Sequence, residues 1–202
     1  MNSLGKSWRN ASFYLCVNEV QPMGNEMRKI IIRGLVTSIS DMLYKFVQTL
    51  PIGVLVGGVT YFLISHSSHK LYCKRKYISI LAAYISIIVQ ATIIFRPMGQ
   101  ISVIDLTPFK LEWGARYTIL YASANAIAFI PLGILLPIIL EKMKKWNMCV
   151  LMGFLLSLFI EISQLVLKCG ICQVEDLIMN TVGTFIGYMI YKRINKRNGK
   201  QA

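Results

Sequence analysis

Five apolar runs follow one another with only short polar segments between them: 47–65, 77–95, 119–140, 148–167 and 175–191. A hydrocarbon core about 30 Å thick needs about 20 residues of helix to cross it. Inside lipid the backbone must satisfy its own hydrogen bonds, so runs of this length fold as helices. The composition fits: 55% of the 202 residues are hydrophobic and only 15% are charged, with a mean hydropathy of +0.55. A soluble domain carries about 25% charged residues. The expected class is all-α, a polytopic helical membrane protein with about five transmembrane helices.

The net charge of +13 falls in blocks between and after the apolar runs. That pattern reads as membrane topology and contact with anionic lipid. No aromatic-interleaved basic groove of the single-strand-binding kind is visible, so no nucleic acid partner is expected. Lys and Arg number four in 66–76, three in 141–147 and five after 191. The intervening segments 96–117 and 168–174 hold three and one. By the positive-inside rule the twelve-residue side is cytoplasmic, with the C-terminus inside. The six basic residues up to Lys45 stand against that placement for the first span.

Three segments follow from this reading. Residues 1–46 form a polar N-terminal segment and an interfacial amphipathic helix, 47–191 the transmembrane domain, and 192–202 a basic cytoplasmic tail. Residues 1–28 show no basic leader followed by an apolar core, so no signal peptide is expected, and their mixture of polar residues suggests a poorly ordered or surface-lying segment. Residues 30–46 carry Ile31, Leu35, Ile39, Leu43 and Phe46 at spacings of three and four. They read as a helix on the interface or as the first turns of a long tilted span. Gly53 and Gly57 form a G-x-x-x-G pair, either a close helix contact or simply two glycines of a membrane helix.

The apolar runs are interrupted in a concentrated way. Glu161 and Gln164 lie three apart on one face of the fourth run, and Asp176 and Asn180 open the fifth. Asn125 lies early in the third, and Asp105 sits in the loop before it. With the basic side inside, all six fall toward the outer leaflet. A carboxylate at mid-membrane costs about 2.5–3.5 kcal/mol on insertion scales. Hydrogen bonds between membrane helices return on average only about 0.6 kcal/mol. The balance favours a polar pocket with work to do over a set of structural ties. Glu161 and Asp176 are the candidate catalytic acid–base groups; Asp105, Asn125, Gln164 and Asn180 are candidate ligand-binding groups.

Other chemistry is thinly supported. Five cysteines at irregular spacing make no disulfide framework. Cys169 and Cys172 form a C-x-x-C at the outer end of the fourth run, which allows a thiol relay, but no second redox pair accompanies it. His66 and His69 lack a third ligand nearby, so no metal is expected. No Gly-rich phosphate loop or Ser-centred nucleophile motif is present, and no cofactor is expected.

Four stretches in order carry a resemblance: Ile104-Asp105-Leu106-Thr107-Pro108-Phe109, Asn125 to Gly133 with Pro131, Glu161-Ile162-Ser163-Gln164, and Glu175-Asp176-Leu177-Ile178-Met179-Asn180-Thr181-Val182-Gly183. Over about residues 90–190 the chain resembles the VanZ-like family, the teicoplanin-resistance membrane proteins. The resemblance implies a multi-pass protein of the bacterial plasma membrane. It also implies lowered susceptibility to teicoplanin and related lipoglycopeptides, without replacement of the terminal D-alanine of wall precursors. Expected partners are membrane lipids or a lipid-linked amphiphile, and the lipoglycopeptide itself. The alternatives are an enzyme modifying a lipid-linked envelope component and a non-catalytic subunit of a membrane complex. The turn before the fifth run departs from the family pattern. Where relatives often carry Arg and Asp, this chain has Gly170 and Gln173, so an anion held by that arginine would lose its partner here.

Overall fold

The computed structural model describes residues 25–66, 69–96, 104–105, 107, 115–170 and 172–198. The surface-lying segment expected within 1–28 lies mostly outside these residues. Among them are five α-helices: α1 (Asn25–Ser65), α2 (His69–Val89), α3 (Ala115–Ile139), α4 (Trp146–Val166) and α5 (Val174–Asn198). A π-helical turn, Gln90–Ile94, continues α2, and a 3-10 turn, Glu141–Lys144, joins α3 to α4. Two short strands, β1 (Ile104–Asp105) and β2 (Cys172–Gln173), pair in parallel with Asp105 opposite Gln173.

The chain divides into two compact units, Met1–Asp41 and Met42–Ala202. In the first, the described residues are helical, with Ser40 Oγ donating to the Thr37 carbonyl at 2.8 Å. The second holds the bundle. Helix α1 itself is continuous from Asn25 to Ser65, through Pro51. The periodic segment 30–46 is thus helical, as both readings of its periodicity had it, and joins the apolar run without a break.

Four stretches are long and apolar enough to span a membrane: Ile39–Ser65, Tyr72–Ile94, Ile119–Ile139 and Trp146–Val166. Helix α5 is not among them, because Glu175, Asp176, Asn180 and a basic last turn dilute its apolar run. It nevertheless packs along α3 and against α4, and its helix continues to Asn198, through most of the expected tail. The architecture is all-α and polytopic.

The core sits between α3, α4 and α5. Phe129, Leu132, Leu136, Cys149, Ile160 and Tyr188 form it, and α2 covers it with Leu81, Tyr84, Ile85 and Ile88. Close backbone approach makes the α3–α5 contact possible. A Cβ on Gly183 would run into the Ala126 carbonyl oxygen, and one on Gly187 into that of Ile130. On the other side of the bundle, Thr49, Gly53 and Gly57 are the buried stripe of α1. Gly57 faces Ala83 and Gly53 faces Ile87, so the G-x-x-x-G pair is a packing face against α2.

Polar groups in the bundle find partners across it. Pro137 has no N–H to give the carbonyl of Gly133 four residues earlier, and the Cys149 thiol lies 3.8 Å from that oxygen as its donor. Tyr84 donates its hydroxyl to the Ala128 carbonyl at 2.8 Å, and Tyr188 to that of Lys144 at 2.7 Å. The basic residues 74–76, expected in a loop, belong to the first turns of α2. There Lys74 donates to the Ile139 carbonyl at 2.8 Å, and Arg75 lies 3.9 Å from the ring of Tyr72 and 4.6 Å from that of Tyr61. Long basic side chains can lie along a helix and keep their charge at the membrane edge, which lets the helix begin before the apolar run does.

Candidate functional site

The site is built where the ends of α2 and α4 meet the starts of α3 and α5. Its keystone is the turn after α4. Lys168 adopts a left-handed φ of 51°. The Cys169 N–H then donates to the Gln164 carbonyl at 3.0 Å, and the Lys168 N–H to that of Leu165 at 3.3 Å. These are the two bonds of a Schellman ending, which reverses the chain in few residues. Pairing of β2 with β1 fixes the far side of the turn and brings Asp105 beside Gln173.

Glu161 is 3% exposed, and its Oε2 accepts the Gln173 N–H at 3.0 Å, so the α4 carboxylate holds the turn. The Cys172 thiol feels the charge of the same carboxylate. Asp176, in the first turn of α5, accepts a hydrogen bond from Asn125 Nδ2 of α3. An acidic residue suits a helix N-terminus, where unpaired N–H groups point outward.

Of the other sequence candidates, Gln164 and Asn180 act across helix contacts. Gln164 Nε2 donates to the Thr92 carbonyl at 3.0 Å, one of the last carbonyls of the π-helical turn that continues α2. Such carbonyls have no partner within their own helix. Asn180 Nδ2 donates to Ser157 Oγ at 2.8 Å, joining α5 to α4. The opposite ends of both amides, Gln164 Oε1 and Asn180 Oδ1, are buried and accept no hydrogen bond among the described residues; the same holds for Gln90 Oε1 in the π-helical turn. Asp105 caps its own loop, its Oδ1 accepting the Thr107 N–H at 3.0 Å. Asp176 and Asn125 are thus joined directly, while Glu161, Gln164 and Asp105 each meet the turn after α4. Asn180 lies one turn deeper, against Ser157.

Arg96 is not among the sequence candidates, yet it stands at the site. The end of α2 delivers Arg96 to the turn, and a Cβ on Gly170 would lie 2.7 Å from its Nη1. Its charge acts on both Glu161 and Asp176, although no ion pair at contact distance joins it to either among the described residues. Ser157 and the Thr92 carbonyl were missed too; only helical spacing from Glu161 could have suggested Ser157, four residues earlier on the same face.

Among the described residues no group of three His, Cys, Asp and Glu side chains is placed to hold a metal ion. Burial and the neighbouring Glu161 push the Cys172 thiol up from its ordinary value, the opposite of what an attacking thiolate needs. Two grooves lie at the other end of the bundle. One, of about 480 Å³, is lined by Lys74, Ile78, Leu140 and Lys142; the other, of about 340 Å³, by Tyr77, Pro137 and Tyr191 among others.

The sequence profile of the VanZ/LLP1 family matches residues 79–195, more than half of the chain. This chain belongs to the VanZ/LLP1 family. The matched region takes in α2 to α5 and every residue of the cluster. Protein VanZ of Enterococcus faecium is a relative, 36% identical over 95 residues, which make up 46% of this chain and 55% of that protein. The chain thus spans about half the length of the curated relative it matches. No solved structure matches.

Proposed function

We propose that this VanZ-family membrane protein protects a bacterial envelope against teicoplanin-type lipoglycopeptides. Its working part is the Glu161–Asp176–Asn125 cluster with Arg96, at the end of the bundle away from the basic linkers. There it engages a lipid-linked or lipidated amphiphile at the outer leaflet, in competition with the acyl tail by which such an antibiotic anchors.

One observation carries this reading. Glu161 is 3% exposed within a membrane-spanning helix, and its carboxylate accepts a backbone N–H of a turn. A backbone carbonyl or a neutral amide could hold that turn at lower cost. Burying a carboxylate within a span costs up to about 2.5–3.5 kcal/mol, the value at the bilayer centre, against about 0.6 kcal/mol for an average interhelical hydrogen bond. Buried acceptors left without donors cost roughly 1–3 kcal/mol each, and Gln164 Oε1 stands beside the same turn. A bound group with donors of its own would recover part of both. Family membership supports the phenotype, and the charge distribution supports the outward orientation.

The test is teicoplanin susceptibility of a sensitive host carrying wild type, Glu161→Gln or empty vector, at membrane levels matched by blot. Protection by wild type and its loss in Glu161→Gln is the expected result. Equal protection by both would remove Glu161 from the working part.

A further inference from the structure

We infer that Arg96 is a positioning residue of the acidic cluster, its guanidinium carried by the end of α2 into the space that Gly170, lacking a side chain, leaves open. The inference rests on the protective role proposed above for that cluster.

Three observations converge on it. The first is steric. A Cβ added to Gly170 would lie 2.7 Å from Arg96 Nη1 and 3.4 Å from Gln164 Oε1. The guanidinium therefore occupies the space into which a residue 170 side chain would grow. Gly170 is itself buried. It does not hold the left-handed conformation that would demand glycine, so the missing side chain makes room rather than permitting a turn.

The second is mechanical. Arg96 lies just beyond the π-helical turn Gln90–Ile94, whose Gln90 carbonyl accepts the Phe95 N–H at 2.9 Å. Gln164 Nε2 holds the Thr92 carbonyl at 3.0 Å. The side chain of α4 next to the carboxylate thus clamps the end of α2, and Arg96 follows four residues after the clamped carbonyl. π-Helical turns occur frequently at functional sites.

The third is electrostatic. Asp176 acts unfavourably on Glu161 and Glu175 on Asp176, and Arg96 acts favourably on both Glu161 and Asp176. Two carboxylates in a low-dielectric setting need a counter-charge, since an unpaired buried charge is costly. The guanidinium carries its charge at any physiological pH and offers five donors in a planar fork. Residue 170 is on the turn that Glu161 holds through Gln173 N–H. A cation borne there would reach the same two carboxylates.

A suppression series tests this. In Arg96→Ala, protection falls to the empty-vector level. In Gly170→Arg alone, two guanidinium groups compete for one space, and protection is also lost. The double variant Arg96→Ala/Gly170→Arg recovers protection that neither single variant has, while Arg96→Ala/Gly170→Met, which fills the space without charge, does not. Thermal unfolding in detergent is followed on the same five proteins and should rise and fall in the same order. This second readout separates the two claims. If wild type gives no protection, the proposed function fails, and the unfolding series still decides the role of Arg96. Recovery by Met as well as by Arg would reduce Arg96 to a space-filler. Failure of the Arg double variant, with Arg96→Lys active, would tie the charge to position 96 alone; either result overturns the inference.

Discussion

Lys168 holds a left-handed φ of 51° at the position where a Schellman ending ordinarily has glycine. For an L-residue with a Cβ that conformation costs roughly 1–2 kcal/mol. Lys168 is exposed, so its side chain adds little packing to offset the cost. Lys168→Gly should therefore stabilise the protein by about 1 kcal/mol, measured as a rise in the detergent unfolding midpoint. It should leave protection intact, because the turn keeps its geometry. A fall in stability would mean that the lysine anchors the turn in the membrane interface. At this scale the chain disclosed its carboxylates and amides plainly: polar residues in an apolar run are visible one by one. It disclosed neither Arg96 nor the use of Gln164. Arg96 sits at a helix end where a basic residue is unremarkable, and only the tertiary approach of α2 to the turn after α4 makes it part of the site.

Helix contacts set how the elements tolerate change, and two glycines make the contrast. Gly183 lies against α3, where a Cβ would meet the backbone oxygen of Ala126. Backbone cannot move aside without separating the helices, and overpacking of that kind costs about 1–3 kcal/mol or more. Gly58 of α1 has nothing within 4 Å of its Cβ position and gains helix propensity on substitution. Gly183→Ala should lower the unfolding midpoint and the membrane level, whereas Gly58→Ala should hold or raise them by up to about 1 kcal/mol. Equal effects would mean that α3 and α5 do not pack as closely as described. The spans themselves were legible, because hydropathy and length depend on local sequence alone. The start of α1 was less so. Ile31 to Phe46 has the periodicity of a helix in either setting, and nothing local says whether that helix ends before the apolar run or joins it. The fifth helix reversed the problem, since its polar first turn weakens a hydropathy signal that its burial against α3 and α4 makes good.

Orientation belongs to the whole molecule and decides whether the mechanism can work. The end of the bundle with Lys74, Arg75 and Lys76, the Glu141–Lys144 linker and the basic last turn of α5 lies opposite the Glu161 cluster. Lys and Arg mark the cytoplasmic side of membrane proteins through their cost of translocation. On the proposed orientation the cluster faces outward, where a lipoglycopeptide would anchor. Two cysteine positions at the two ends make this measurable. Cys73 is exposed near the start of α2, at the basic end. Thr107 is exposed beside Asp105, at the cluster end, and can be replaced by Cys. A membrane-impermeant thiol reagent on intact cells, followed by peptide mass spectrometry, should modify the cysteine of Thr107→Cys. It should reach Cys73 only after permeabilisation or in inverted vesicles. The reverse pattern would place Glu161 and Arg96 at the inner leaflet. An acidic cluster there has no access to an antibiotic held outside, and protection, if observed, would have to arise from a component handled in the cytoplasm before export. The labelling result therefore precedes any search for the bound group, because it fixes which leaflet that search must sample.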